Sequence, residues 1–568
     1  MSQASQSRSR VPRPDPYQQI RDSALALVTE GQHEEATEYA LEALQAVLRR
    51  NRELELLVLK YRRAQMGQTS ERLDSKQLML LFEELKELGE VEPDTQEQDA
   101  REEAKLDQEI AEAEAELPEA AKRKRRKRGD WSTRGTGRET HQLEPSLDEL
   151  ACPSCGNDKT RIGSDVTRRL EFVPASFVEH EYHLSKYACS QCKNSVTTAD
   201  APPQVLERSA AGASLLAHIV VSKFADHCPL TRLNRVYERL GASIPVSTLA
   251  DWVSGVGQLI EPITDRLAEL VRESFLLGFD ASGLKVLDPS TPENIQRGTM
   301  WCYVGDRKNV VFRYTPTGEG ASGPWAFLKG RTGYVQADAA NVHDRLFNGQ
   351  AASAVEVGCL AHARRKLFDL LDSDARVAYP LKQIRQLYRV EKLADARQVG
   401  SDERLALRLE RSQHYLDKLK RWLVRTLAKE PPAAQLAKAS KYFINHWGAL
   451  TRFMSDGRLG LDNNIVESQI RDLALGRKNY LFAGSHKAAE RTAAFYGILR
   501  TCALHGVKPL PYLTDILEKL AEGWQQARLD ELLPQRWQEL HAPSIQASLL
   551  CHRRSTPPLT PGAITRMA

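Results

Sequence analysis

The spacing of apolar positions changes character several times along the chain, and each change marks a different kind of element. Ala40, Leu44, Val47, Asn51, Leu54, Val58 and Tyr61 follow one another at alternating steps of four and three. That spacing is the seam of a short coiled coil, or of a helical hairpin packed on its own neighbours. An amphipathic stretch from Leu78 to Leu88 comes next. Helical periodicity returns over residues 203–254, where Pro229–Leu240 reads as one helix that Gly241 can stop and Val246 begins another. Two helices joined by a short glycine-containing turn have the outline of a helix-turn-helix.

From Ser274 the apolar residues are contiguous rather than periodic, which predicts strands. Ser274–Asp280 is one such run, ending in an acid, and Met300–Val304 and Val310–Tyr314 are two more. A short helix at Trp325–Lys329 leads into the apolar run Gly333–Asp338, again ending in an acid. A helix near Asn341 and a strand over Ala354–Leu360 complete the series. Three strands, a helix, a strand, a helix and a strand is the order of a ribonuclease-H-like core. Such a core holds acids on its first and fourth strands and a third on a later helix. Asp280, Asp338 and Glu467 occupy those places, with the helical stretch from Leu367 to Phe453 as an insertion between the last two. Taken singly, each has an ordinary reading: a strand-end acid, a helix cap, a surface helix residue. Taken together and in this order they favour catalysis. Carboxylates are hard oxygen ligands that suit Mg²⁺ or Mn²⁺. Two such ions about 3.5–4 Å apart activate an attacking oxygen and stabilise a leaving one in phosphodiester chemistry.

Cysteines and charge change the picture further upstream. Cys152 and Cys155 form one CxxC pair and Cys189 and Cys192 another, with 33 residues between them. Four thiolates at this spacing predict a zinc ribbon with structural Zn²⁺. The five other cysteines are scattered, no apolar run approaches the roughly 18–20 residues of a membrane span, and the basic start lacks an apolar stretch behind it. An intracellular, reduced protein without membrane contact is expected. The formal charge of +4 conceals a cancellation, because Glu92–Glu119 carries twelve acidic residues against Arg101 and Lys105. Few large apolar residues lie in that segment, so it predicts a solvated helix or a disordered linker. Directly after it, Lys122, Arg123, Lys124, Arg125, Arg126, Lys127 and Arg128 form either a phosphate-binding arm or a charge run folded back on the linker.

Several longer stretches are more specific. Asp462–Glu467 followed by Gly476–Ser485, together with Leu360–Phe368 and Met66–Leu73, resembles the insertion-sequence-66 family of transposases. The paired knuckles and the stretch from His227 to Trp252 match that family in kind and order, and the likeness runs from about Val47 to Leu520. The resemblance implies that Asp280, Asp338 and Glu467 are a DDE triad binding Mg²⁺ or Mn²⁺. It further implies cleavage at element ends and joining of 3′ ends to a target. His362 joins the catalytic candidates because this region lies near the active site in related transposases; a packed helix-start histidine is the other reading. Arg364, Arg365, Lys366, Arg477 and Lys478 are the implied phosphate contacts. Ala281-Ser282 and Ala339-Ala340 stand where the family commonly has Glu-Thr and Gly-Tyr.

The expected fold class is therefore a multidomain α/β chain: a disordered start (1–16), a helical or coiled-coil region (17–90), and the acidic linker with basic arm (91–140). The zinc ribbon (141–200) and a helix-turn-helix-like unit (201–272) follow. The ribonuclease-H-like core comes in two parts (273–366 and 456–525), split by the helical insertion (367–455) and ending in a tail (526–568). The expected partners are double-stranded DNA (terminal inverted repeats and target), further copies of the chain on DNA, and accessory proteins of the same element. A bacterial cytoplasmic, nucleoid-associated location goes with them. Two other readings remain: an inactive zinc-ribbon and helix-turn-helix DNA-binding protein, and a nuclease that does not join ends.

Overall fold

The computed structural model describes residues 93–117, 175–188, 196–338, 345–350 and 352–541, with isolated positions before residue 42 and between residues 140 and 157. The coiled-coil seam beyond Ala40, the Leu78–Leu88 stretch, the basic arm, the four CxxC cysteines and the helix expected near Asn341 lie outside the described residues. Two compact units are formed. One takes Met1–Glu119, Leu360–Trp447 and Met454–Gly457; the other takes Ala120–Cys359, Gly448–Phe453 and Arg458–Ala568. Among the described residues no helix is long and apolar enough to cross a membrane.

In chain order, helix α1 (Pro93–Glu116) precedes helices α2 (Ala213–Phe224), α3 (Leu230–Arg239), α4 (Val246–Leu259) and α5 (Glu261–Glu273). Strands β1 (Leu276–Leu287), β2 (Ile295–Gly305), β3 (Asn309–Thr315), β4 (Tyr334–Ala337) and β5 (Val355–Gly358) come next. Helices α6 (Leu360–Phe368), α7 (Ala378–Ala396), α8 (Ser401–Arg411), α9 (Gln413–Lys429) and α10 (Gln435–Asn445) follow. The series closes with α11 (Asn464–Tyr480), α12 (His486–His505) and α13 (Pro509–Ala521).

The five strands form one mixed sheet in the order β3-β2-β1-β4-β5. β1, β2 and β3 are mutually antiparallel neighbours, whereas β4 and β5 run parallel to β1. Strand side chains alternate between faces, and helices cover both. On one face, Thr501 of α12 accepts from the Val310 amide at 2.9 Å, and Phe312 lies 5.9 Å from Tyr496 between ring centroids. On the other, Tyr303 stacks on Phe327 at 4.0 Å, and Arg313 pairs with Asp265 of α5 at 2.8 Å. Burying large side chains such as Phe279, Tyr303 and Phe312 contributes about 1.5–3 kcal/mol each.

The first strand is longer than its apolar run suggests. It continues past Asp280 to Leu287, because β2 pairs with it all the way from Leu277↔Gly305 to Leu287↔Ile295. Its first four residues are buried, and beyond them exposed and buried positions alternate. The contiguous apolar run therefore marks the length over which the strand is covered on both faces. Asp280 stands in mid-strand, where the parallel partner β4 gives out.

The acidic segment is a helix in the other unit, and its carboxylates are matched by cations. Leu106, Ile110 and Ala113, spaced by four and three, are 4%, 4% and 8% exposed. They pack with Val390, Leu393, Ala394 and Leu407 of α7 and α8. Arg389 donates to Glu103 at 2.6 Å and also pairs with Asp107, Lys392 meets Glu114 at 2.9 Å, and Arg397 meets Glu109 at 3.1 Å. Three well-spaced apolar residues and partners supplied from nearly 300 residues away achieve what composition alone would deny. A further pair holds the same unit together: Arg408, 1% exposed, donates to the partly buried Glu391 at 2.7 Å.

Candidate functional site

The register of the sheet pairs the two strands that lead into Asp280 and Asp338. β1 and β4 pair as Leu276↔Tyr334, Leu277↔Val335 and Gly278↔Gln336. Carried two residues further, the same offset puts Asp280 level with Asp338, the residue that follows the last position of β4. Neighbouring strands lie about 4.8 Å apart and level residues on parallel strands face the same side. Both carboxylates are partly buried. The Ala281 amide donates to Asp280 Oδ1 at 2.7 Å. Across β2, Asp280 faces Cys302, whose thiol is pushed well up, first by burial and then by the Asp280 charge.

Helix α11 brings Glu467 to that face, in its first turn, where the helix dipole favours negative charge. What docks the helix is Asn463, just before it. Its Nδ2 donates to the Phe279 carbonyl at 2.9 Å, and its backbone amide to Cys359 Sγ at 3.3 Å. Gly278 makes the approach possible, since a Cβ there would meet Asn463 Oδ1 at 2.5 Å and Val466 Cγ2 at 2.9 Å. Gly278 and Asp280 share a face of β1, and Val466 immediately precedes Glu467. Buried Gln336 adds a second tie, donating from Nε2 to Gly460 O at 2.9 Å and Gly358 O at 3.3 Å. Arg500 of α12 braces the helix further along, through Gln469 at 2.8 Å and Asp472. Sequence reading missed Gly278, Gln336, Asn463 and Arg500. Only the Asp462-Asn463-Asn464 run hints at one of them, because their work is defined by contacts across the fold.

His362, Arg364, Arg365 and Lys366 lie on α6, in the other unit, where the Arg364 guanidinium sits 5.1 Å over Phe368 and Lys366 Nζ sits 4.4 Å over Tyr442. Arg477 donates to the Gly283 carbonyl of β1, and Lys478 is exposed. In the helix-turn-helix-like pair, Gly241 takes φ +92° between α3 and α4, a conformation that favours glycine. The positive charge in that pair lies on the first helix: Arg232, Arg235 and Arg239 share an exposed face of α3, whereas α4 carries no lysine or arginine. Next to it, Phe177 packs edge-on against Tyr237 at 5.1 Å, and a short ladder pairs Lys186–Ala188 with Val196–Thr198.

Comparison with known proteins adds the context for this geometry. The model of the IS66 transposase family matches residues 208–491, spanning all three acids. The zinc-finger binding domain of IS66 transposase matches residues 149–193, which contain Cys152, Cys155, Cys189 and Cys192. The IS66 C-terminal element matches residues 498–535. Among curated proteins, the uncharacterized protein y4hP of Sinorhizobium fredii is 30% identical, over 87% of this chain and 90% of its own length. The uncharacterized protein y4qI of the same organism is 30% identical over 75% of this chain and 81% of its own length. Half of the chain is matched by the family model and nearly all of it by a relative, so the chain belongs to the IS66 transposase family.

Proposed function

We propose that this chain is a DDE transposase with a ribonuclease-H-like core, which cleaves the ends of an insertion element and joins the freed 3′ ends to target DNA. The observation that carries the reading is the parallel pairing of β1 with β4 up to Gly278↔Gln336, two residues short of Asp280 and Asp338, beside the Phe279 carbonyl on which Asn463 docks the helix of Glu467. The sheet order, with three antiparallel strands and two parallel to the first, supports the same core.

Asp280, Asp338 and Glu467 would hold Mg²⁺ or Mn²⁺; the donor set fits, being all carboxylate oxygen. Bound there, the ions supply Lewis-acid activation of the entering oxygen and charge stabilisation of the leaving one. The chain's own part is positional. β1 and β4 fix two carboxylates through backbone register, and Asn463 and Gln336 hold the third element against them. In the cleavage step a water oxygen bonds to phosphorus, the bond to the 3′ oxygen breaks, and that oxygen leaves as a hydroxyl. In the joining step the 3′ hydroxyl attacks a target phosphodiester and displaces a second 3′ oxygen, with no covalent bond to protein. Cys152, Cys155, Cys189 and Cys192 hold a structural Zn²⁺. The arginine face of α3, with Lys478 and the 122–128 arm, contacts phosphates, which makes binding weaken as salt rises.

The test is cleavage and joining of the element's terminal inverted repeats with Mg²⁺, comparing Glu467→Gln with the parent. Loss of both steps in the variant is the expected result. Equal activity would remove the triad assignment, and cleaved ends that never join would make the protein a nuclease.

A further inference from the structure

A cavity of about 190 Å³ opens where α2, α4, the far end of β1 and the loop after α11 meet, and the acid chemistry does not use it. Its walls are largely apolar, with Val253, Leu284 and Phe482 among them, and Lys223 reaches into it. The Lys223 ammonium lies between two rings, 5.3 Å from the centroid of Phe224 and 5.2 Å from that of Tyr480. Among the described residues no carboxylate pairs with it, and burial pushes it below the usual lysine range. The loop at the mouth is held in place. The Ala483 amide donates to Lys285 O and the Leu287 amide to Ala483 O, both at 2.9 Å, while Leu481 is left-handed at φ +62°. So fixed, the loop presents Leu481 and Phe482 to solvent, 63% and 42% exposed. Non-glycine residues in that region are strained and persist only where the surroundings impose them.

We propose that this cavity takes a single unpaired nucleobase of a bound DNA strand. The proposal rests on the DNA-binding part of the reading above. A bare phosphate is a poor occupant, because it needs several polar partners and the walls are apolar. A base has apolar faces for Phe482 and Tyr480 to stack on, and every base offers such a face. Its edge carries carbonyl or ring-nitrogen acceptors, to which Lys223 donates. Arg491 at the wall, and exposed Lys487 next in sequence to Ala488 of the wall, are cations available to the flanking phosphates of a displaced nucleotide. Frayed ends supply such nucleotides at the least unstacking cost.

The experiment measures binding of the full chain in EDTA, so that strand cleavage plays no part. The probes are one mixed-sequence duplex in three forms: blunt, with a one-nucleotide 2-aminopurine overhang, and with an abasic overhang. The parent is expected to bind the 2-aminopurine form at least tenfold more tightly than the abasic form, with quenched fluorescence. Lys223→Met and Phe482→Ala should each reduce that preference to within twofold while leaving blunt-duplex affinity unchanged. Phe482 is surface-exposed, so its variant reads the pocket even if Lys223→Met folds poorly. Equal affinity of the parent for the two overhangs overturns the proposal, as does a preference that survives Phe482→Ala. Binding of the blunt and abasic forms reports separately on whether the chain binds DNA at all.

Discussion

Acidic residues gather at two places in this chain, and they are held by different means. In α1, Glu103, Asp107, Glu109 and Glu114 each meet an arginine or lysine of the helical insertion, over a stripe of three buried apolar residues. Those carboxylates neutralise a neighbour and fasten one helix to another. In the sheet unit, Asp280 and Asp338 follow two residues after the last paired positions of β1 and β4, and Glu467 is carried by a helix docked through Asn463 and Gly278. Register fixes where a carboxylate stands without regard to its charge. Acids placed by charge matching should answer to stability measurements, and acids placed by register to activity.

The largest expected effect lies at the register-held acids. Losing a partner of a metal ligand typically costs about 10–100-fold, so Asp280→Asn or Glu467→Gln should exceed about 100-fold in strand cleavage. The melting temperature should stay close to the parent's; a collapse of folding in either variant would make these acids structural. Asn463→Ala comes next. It removes a buried donor to Phe279 O, so cleavage should fall about 10–100-fold with about 1–3 kcal/mol lost in denaturant unfolding.

Arg389→Met addresses the charge-matched helix. Its side chain is 9% exposed and pairs with Glu103 and Asp107, and the loss should be about 1–3 kcal/mol, below a fully buried pair because the acids are partly solvated. An unchanged unfolding midpoint would show that the α1 pairs do not fasten the helix. The smallest effect concerns Asp288, held at about 2 first by hydrogen bonds from Ser290 and then by His486. A depressed carboxylate stabilises above its unfolded pKa, and that stabilisation is lost as pH falls from about 4 through about 2. Asp288→Asn should flatten the pH dependence of unfolding in that window and leave it unaltered near neutrality.

The same contrast explains what the sequence made legible. Strand order and the helix that carries Glu467 were readable, because contiguous apolar runs and the Asp462–Glu467 and Gly476–Ser485 stretches are local signals. The true length of β1 was not, since the apolar run reports coverage on both faces and stops where β4 stops. The packing of α1 was not either: Arg389 and Glu103 lie 286 residues apart, and no local pattern announces such a partner. Asn463 and Gln336 read as ordinary polar residues until the fold places Phe279 and Gly460 against them. The helix-turn-helix outline was visible as two helices and a glycine, whereas the arginine face of the first helix emerges only when burial sorts its positions.

The most direct measurement of the central claim is Mn²⁺ binding to the full chain, followed by electron paramagnetic resonance. The account predicts saturable binding by the parent that is weakened at least tenfold in each of Asp280→Asn, Asp338→Asn and Glu467→Gln, and unchanged in Glu103→Gln of α1. Equal affinity in the parent and all three variants would contradict it.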